Sequence, residues 1–535
     1  MNRVRFSTAG LCAVLGLVLG AGGASASGGA TGSGEAGPAT PQTKIVTRTV
    51  QPPPQTEMEV VALPSPSSPL VAIRLMFTVG SLHDPAGKEG LAALTGLMVG
   101  QAATKKRTFN ELSDALYPMA AAVGTETDRE VTVFSSAVHR DTLNDFTALF
   151  EEALFTPAFR ESDFKRHKEA QLSILTSTLR SGSDEFLGLE ALQDVLFAGH
   201  PYGHPAAGTV AGLENITLED VRTFYRQHYT RANLIVGIAG GYPDSYLVRL
   251  QHDLQALPQG TSDRKPLPPP PPIASGGDGG NRHIVLIDKQ TASVGINLGS
   301  PLPINRSDPN YYPLMVANSA FGEHRTFNGR LTNSLRIARG LNYGDYSYVE
   351  YYQSPPVSHV PAPNVPRREQ YFSIWIRPVV PADAQFALRG ALYELDRLYN
   401  GGLTPEEFEL TRKFLINYSK LWVQDLSDRL GYHMDSRFYH MPYFIDEIEA
   451  RLKSMQRDEV NRIIKYYLRP DYWAAVLVTA NAADLKAKLA ADEPSPKKYN
   501  TPAAAEILEA DKAISAWKVK PTAIDIVPVD QMFQK

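Results

Sequence analysis

From residue 70 the chain alternates. Val71, Ile73, Leu75, Phe77 and Val79 are interleaved with Ala72, Arg74, Met76 and Thr78, the period of a strand with one face in a core. Gly80, Pro85 and Gly87 break that strand. From Gly90 the period lengthens, and Leu91, Leu94, Met98 and Val99 share one side of a helix. Helical spacing returns at Phe109, Leu112, Leu116 and Met119, and EVTVFSSAV from Glu130 reads as a strand. Thr142 stands as a helix cap ahead of Leu143, Phe146, Leu149, Phe150 and Leu154. Further helices are expected over 161–179 and 186–197. HPYGHP at 200–205 is a loop, because its two prolines remove two backbone donors. Thr217 to Asp220 opens a capped helix, and LIVGIAG from Leu234 to Gly240 is a strand.

The pattern then repeats. His283 to Asp288, Val294 to Leu298, Phe372 to Ile376 and Trp473 to Thr479 read as strands. Helices are expected from Leu314 to Ala320, over 383–399 and 405–425, up to about His440, and from Glu459 to Leu468. The echo in element order points to an internal duplication. Strands and helices alternate with some strands adjacent, so the expected class is α+β: two similar domains, each a mostly antiparallel sheet with helices on one face. They occupy 57–255 and 283–495. Between them lies a Pro/Gly-rich linker, 256–282, stiff in the run Pro268 to Pro272 and loose in Ser275 to Gly280. In the tail, 496–535, a weak helical pattern runs from Thr501 to Trp517. Ile524 to Val529 is strand-like, and Pro528 sends it to an edge. The tail is expected to strap back onto the body.

Composition narrows the class only a little. Of 535 residues 43% are hydrophobic and 21% charged, ordinary for a globular protein, and the net charge of −4 gives nucleic acid no attraction. The first 26 residues change more. Arg3 and Arg5, the apolar run Leu11 to Leu19, and Ala24-Ser25-Ala26 form a cleavable secretory signal whose core is too short to span a bilayer. Its loss takes the charge to −6 and removes Cys12, the only cysteine, so thiol catalysis and disulfides are excluded. Leu11 before Cys12 does not suit a lipid-anchor site. Residues 27–56, rich in Gly, Ala, Ser, Pro and Thr, form a flexible leader. No later apolar run is long enough to cross a membrane. The expected location is periplasmic or exported.

Gly80 to Val99, GSLHDPAGKEGLAALTGLMV, resembles the first zinc helix of the insulysin–pitrilysin peptidases, G-S-x-x-(D/E)-x-x-G-x-x-G-L-A-H-x-x-E-H-M. The frame stands at Gly80, Ser81, Asp84, Gly87, Gly90, Leu91, Ala92 and Met98. The chemistry does not. Ala93 holds the place of the first histidine, Gly96 that of the glutamate base and Leu97 that of the second histidine. A zinc hydrolase needs three ligands, an open water position and a base, and these three side chains supply none. On the family's spacing the third ligand falls near Ile174, and Ala170 to Arg180 contains no acid; Glu169 and Glu190 only flank it. His200 and His204 are four apart, but in a proline-broken loop, while His167 and Glu169 would face different sides of a helix. The resemblance therefore implies a chain with no catalytic residue and no metal or cofactor of its own.

A second stretch carries the resemblance further. Phe327 to Leu331, then Leu335-Arg336-Ile337-Ala338-Arg339-Gly340-Leu341-Asn342-Tyr343, is similar to the family's R-L-x-x-x-L-R-x-x-x-G-L-x-Y segment. In that family the matching arginine and tyrosine reach a zinc site in the other half of the molecule and hold substrate and oxyanion. Arg336 and Tyr343 are the matching residues, with Arg339 as competitor to Arg336. A guanidinium is a permanent fork of donors, and such donors in a dry cleft are worth about 3 kcal/mol each. Family chambers need two halves, in one long chain or in two chains, and this chain has the length of one. The resemblance thus implies a non-catalytic, substrate-binding subunit of a heterodimeric zinc peptidase, akin to processing-peptidase alpha subunits. The partner, an insulinase-like chain with an intact H-x-x-E-H, would bring the zinc, and the substrates would be extended peptides. The alternative is a peptidase-like binding or assembly protein with no part in proteolysis.

Overall fold

A computed structural model describes residues 57–264, 266–272, 280–324, 326, 328–352 and 360–535. The expected signal and leader, the glycine run of the linker up to Gly279 and Phe327 lie outside the described residues. Two sheets form the frame. The first contains β1 (Glu59–Pro64), β2 (Leu70–Phe77), β3 (Gly124–Thr127), β4 (Thr132–His139) and β5 (Leu234–Gly240), in the order β1-β5-β2-β4-β3. The second contains β6 (Asn281–Asp288), β7 (Val294–Leu302), β8 (Asp345–Tyr348), β9 (Gln370–Val379), β10 (Tyr472–Thr479) and β11 (Ala523–Pro528), in the order β11-β6-β10-β7-β9-β8. Leave out β11 and the two orders are the same. The shared part of each sheet has one parallel pair, β1 with β5 and β6 with β10, and is otherwise antiparallel; β11 adds a second parallel pair, with β6, to the second sheet. The duplication expected from element order is thus present in strand topology.

The helices repeat in step. The first half holds α1 (Leu91–Gly100), α2 (Phe109–Leu116), α3 (Leu143–Phe155), α4 (Glu161–Ser173), α5 (Asp184–Leu196), α6 (Val210–Asn215), α7 (Leu218–His228) and α8 (Asp244–Asp253). The second holds α9 (Tyr311–Gly322), α10 (Ala384–Gly401), α11 (Pro405–Leu421), α12 (Leu426–Phe438), α13 (Phe444–Ser454), α14 (Arg457–Tyr467) and α15 (Ala482–Ala491), followed by α16 (Ala505–Ala516) in the tail. Each half's own helices cover one sheet face. The opposite face receives a helix from the other half: α5 lies on β7 and β10, and α12 lies on β5 and β1. Glycines make both crossings close. A Cβ on Gly188 of α5 would sit 2.3 Å from Asn297 of β7, and one on Gly237 of β5 would sit 2.2 Å from Met434 of α12.

Charge locks the halves as well. In the turn between β3 and β4, Asp128 takes two bonds of 2.6 Å from Arg367, and Glu130 takes one of 2.7 Å from Arg368. All four side chains are buried, where a bidentate, fully bonded pair is strong and a broken one costly.

Two local readings change. Thr142 does not cap α3; its hydroxyl donates to the His139 carbonyl instead. The helix expected over 161–179 is α-helical only to Ser173 and continues as a π-helix, Ile174–Gly182. The first part of the linker, up to its proline run, is fastened to both halves. His228 Nδ1 and Asn233 Nδ2 reach the Asp263 carboxylate at 2.8 and 2.7 Å, His200 Nε2 donates to the Pro268 carbonyl at 3.0 Å, and Arg264 donates to the Phe438 carbonyl at 2.7 Å.

The tail is a strap. β11 adds to the edge of the second sheet beside β6, with Pro528 at its end. The chain then crosses to the first half, where Met532 and Phe533 are buried in its core. Val210 and Ala211 donate to the carbonyls of Phe533 and Gln534 at 2.9 and 3.0 Å, and Arg180 Nε donates to that of Met532 at 2.8 Å.

Candidate functional site

The frame of the first motif has a structural task. Gly90 sits at φ +106°, a backbone turn that favours glycine, and a Cβ there would meet the Ala207 carbonyl at 2.7 Å. Asp84 turns its carboxylate onto the start of α1, taking bonds of 2.7 Å from the N–H groups of Gly90 and Ala92. These are orphan donors of a helix N-terminus, and an acid is the natural acceptor. Burial pushes the Asp84 carboxyl up to about 8, against the pull of those two donors. Gln171 of α4 donates to the Gly90 and Ala207 carbonyls at 3.2 and 3.0 Å and fixes the turn from the other side.

α1 itself is inert where the family is reactive. Ala93 and Leu97, one turn apart, are half-buried on its outer side. Gly96 faces inward, and a Cβ on it would stand 3.0 Å from Thr127 Oγ1 and 3.1 Å from Thr132 Cγ2. At Gly100 the same atom would come within 2.0 Å of Thr125 Oγ1. The two glycines let the β3–β4 hairpin press against the helix. Ile174, at the place of the third ligand, is 42% exposed at the head of the π-helix. Glu169 is an exposed partner of Lys165, and Glu190 stands beside Arg129 at 3.6 Å.

The histidines are committed elsewhere. His167 Nε2 donates to the Gln101 carbonyl at 2.9 Å, His200 to Pro268, and His204 Nδ1 to the Pro205 carbonyl at 2.9 Å. Burial, with Arg129 nearby, lowers His204 to about 4, so it is neutral at ordinary pH. Among the described residues no three His, Cys, Asp or Glu side chains converge as metal ligands. The residues present do not fit the family's zinc.

Arg336 and Tyr343 lie in the other half. Arg336 is half-buried on a second π-helix, Thr332–Ile337. Leu335 anchors this turn under Gly390, where an added Cβ would meet it at 2.6 Å. Asn342 braces the following loop, donating to Asp345 Oδ1 at 2.8 Å and to the Arg377 carbonyl at 2.9 Å. Tyr343 stands out from that braced loop, 80% exposed. Burial pushes the Asp345 carboxyl up to about 7, with Asn342 and the Arg336 charge opposing. Arg339 is spoken for: it is buried, pairs with Asp511 of α16 at 2.7 Å and donates to the Ser334 carbonyl at 2.6 Å. α1 packs on β3 and β4, whereas the Arg336 turn packs on β8 and α10. The two motifs therefore sit on different sheets rather than in one constellation.

Comparison with known proteins bears on this arrangement. The profile of the insulinase peptidases, family M16, matches residues 59–209, and that of the peptidase M16 inactive domain matches 215–415. The chain belongs to peptidase family M16. An uncharacterized zinc protease of Streptomyces coelicolor is 24% identical over 365 residues, 68% of this chain and 75% of that one. The non-peptidase homolog YmxG of Helicobacter pylori is 22% identical over 400 residues, 74% of this chain and 86% of that one. In fold the chain is similar to the crystal structure of a peptidase M16 inactive domain from Pseudomonas fluorescens, with a TM-score of 0.68 at 20% identity over 79% of this chain and 95% of that one. With Ala93, Gly96 and Leu97 in the zinc helix, this is a non-catalytic M16-like protein.

Sequence reasoning reached the emptied positions and the Arg/Tyr segment but missed what surrounds them. The charged triplets Asp128-Arg129-Glu130 and Arg367-Arg368-Glu369 each precede an apolar strand, and that recurrence was the available signal.

Proposed function

We propose that this chain is the substrate-binding subunit of a two-chain M16 peptidase whose partner carries the intact zinc helix. The observation that carries the reading is an M16 fold whose α1 is still capped and clamped while its three reactive positions hold Ala93, Gly96 and Leu97. A scaffold kept in this detail without its chemistry suits a part that completes someone else's site. Arg336 and Tyr343 are the groups it contributes, a guanidinium and a phenol held on a braced turn and loop. The substrate is an extended peptide laid along a free sheet edge, as in other strand-addition complexes. β3 is such an edge, pairing among the described residues with β4 alone. Arg3, Arg5 and the apolar run before Ala26 support an exported compartment for the subunit.

The test is a reconstituted pair. Arg336→Ala should lower turnover about a hundredfold, in line with the loss of one transition-state donor, and should leave assembly intact. Tyr343→Phe should act in the same direction. The likeness to a non-peptidase homolog supports a second reading, an assembly protein with no part in proteolysis. That reading predicts no effect of either substitution on any peptidase activity.

A further inference from the structure

β3 ends the first sheet, and its two faces differ. Thr125 and Thr127 turn toward α1, where their hydroxyls meet the space above Gly100 and Gly96. By strand alternation Gly124 and Glu126 face the other way. On that side lies a cavity of about 530 Å³, walled by Gly124 and Glu126 of β3, Ser135 of β4, Arg74 of β2 and the segment at Pro363 and Asn364. Glu126 has no hydrogen bond or ion pair through its carboxylate among the described residues. It is exposed at the mouth of the cavity, and partial loss of water around it together with nearby Asp128 raises its pKa to about 7.

Arg74 does not neutralise the cavity. Its Nη2 donates to Ser427 Oγ at 2.7 Å, and its Nη1 lies under Gly431 of α12, where an added Cβ would sit 2.4 Å away. The guanidinium is thus turned to the other half's helix, among Asp425 and Asp428 of that helix start. Among the described residues Glu126, Asp425 and Asp428 form no ion pair, so one cation stands among three carboxylates and the local field is negative. Asn364 closes the far wall at 8% exposure, its side-chain oxygen without a donor among the described residues, and its backbone N–H is fixed on Asp435 at 2.9 Å.

We propose that this cavity is a side-chain subsite for a basic residue, Lys or Arg, of a peptide paired along the free edge of β3. An ammonium or guanidinium brings the positive charge and the several donors that Glu126 lacks, with Asn364 in reach of a turned amide. The spacing is natural: a strand added at β3 sends every second side chain to the cavity face. The inference rests on the peptide-binding reading above and adds which side chain that site selects.

The experiment measures anisotropy of labelled nine-residue Ser/Thr/Val peptides that carry a central Lys, norleucine or Glu, with the full chain. The Lys peptide should bind about tenfold tighter than the norleucine peptide, as one charge-assisted contact allows, and the ratio should shrink with added salt. Glu126→Gln should bring the ratio near one, and Glu126→Lys should shift preference to the Glu peptide. Equal binding of Lys and norleucine peptides by the wild type, or a ratio that survives Glu126→Gln, overturns the subsite and leaves peptide binding standing. Binding of none of the three peptides overturns both.

Discussion

Gly96 stands where the family carries its base, and its missing side chain is what lets Thr127 and Thr132 close on α1. Restoring the motif is therefore not a matter of three letters. Ala93→His with Gly96→Glu and Leu97→His should leave the chain without stoichiometric zinc, because Ile174 offers no third ligand. The same variant should lose roughly 1–3 kcal/mol to overpacking at Gly96. Metal content after dialysis and a thermal melt check both; one zinc per chain would contradict the first. The emptied site was legible because Ala, Gly and Leu cannot ligate in any fold. The capping by Asp84 was not, since it joins residues across a turn whose path only the tertiary structure sets.

Among the elements, those with strong periods were legible, β2, β5 and α7 among them. β3 was not, because an edge strand reading Gly-Thr-Glu-Thr has no apolar face to alternate. Nor was the crossing of α5 and α12, since an amphipathic stripe does not say whose sheet it covers. The strap was legible as a strap, but its anchor was not. Phe533 is 3% exposed, at φ +57°, between α6 and the first core. Phe533→Ala should cost about 3 kcal/mol and lower the melting temperature of the whole chain in one transition. A low-temperature transition confined to the tail would contradict the role of Phe533 in joining the halves.

For the whole molecule, buried ionisable groups set a pH dependence. Burial raises Asp84 to about 8 and Glu323, Asp345 and Glu369 to about 7. A raised carboxyl favours the folded state in its protonated form, so this stability is complete below about pH 4 and is lost as pH rises through 7 to 8. His83, His167 and His204 are lowered, His204 to about 4, so their contribution is complete above about pH 6.5 and is lost as pH falls. Between about pH 6.5 and 8 only the carboxyls act, and the melting temperature should fall across that window. A melting temperature that rises there would contradict these burials. The buried pairs Asp128–Arg367 and Glu130–Arg368 hold the halves as one body throughout. The most direct test of the account is zinc per molecule, measured on the chain purified alone and on the complex it forms in its native cell. The account predicts none in the isolated chain and one zinc in a complex with an M16 chain bearing an intact H-x-x-E-H. One zinc in the isolated chain, or a native complex that contains no such partner, would contradict it.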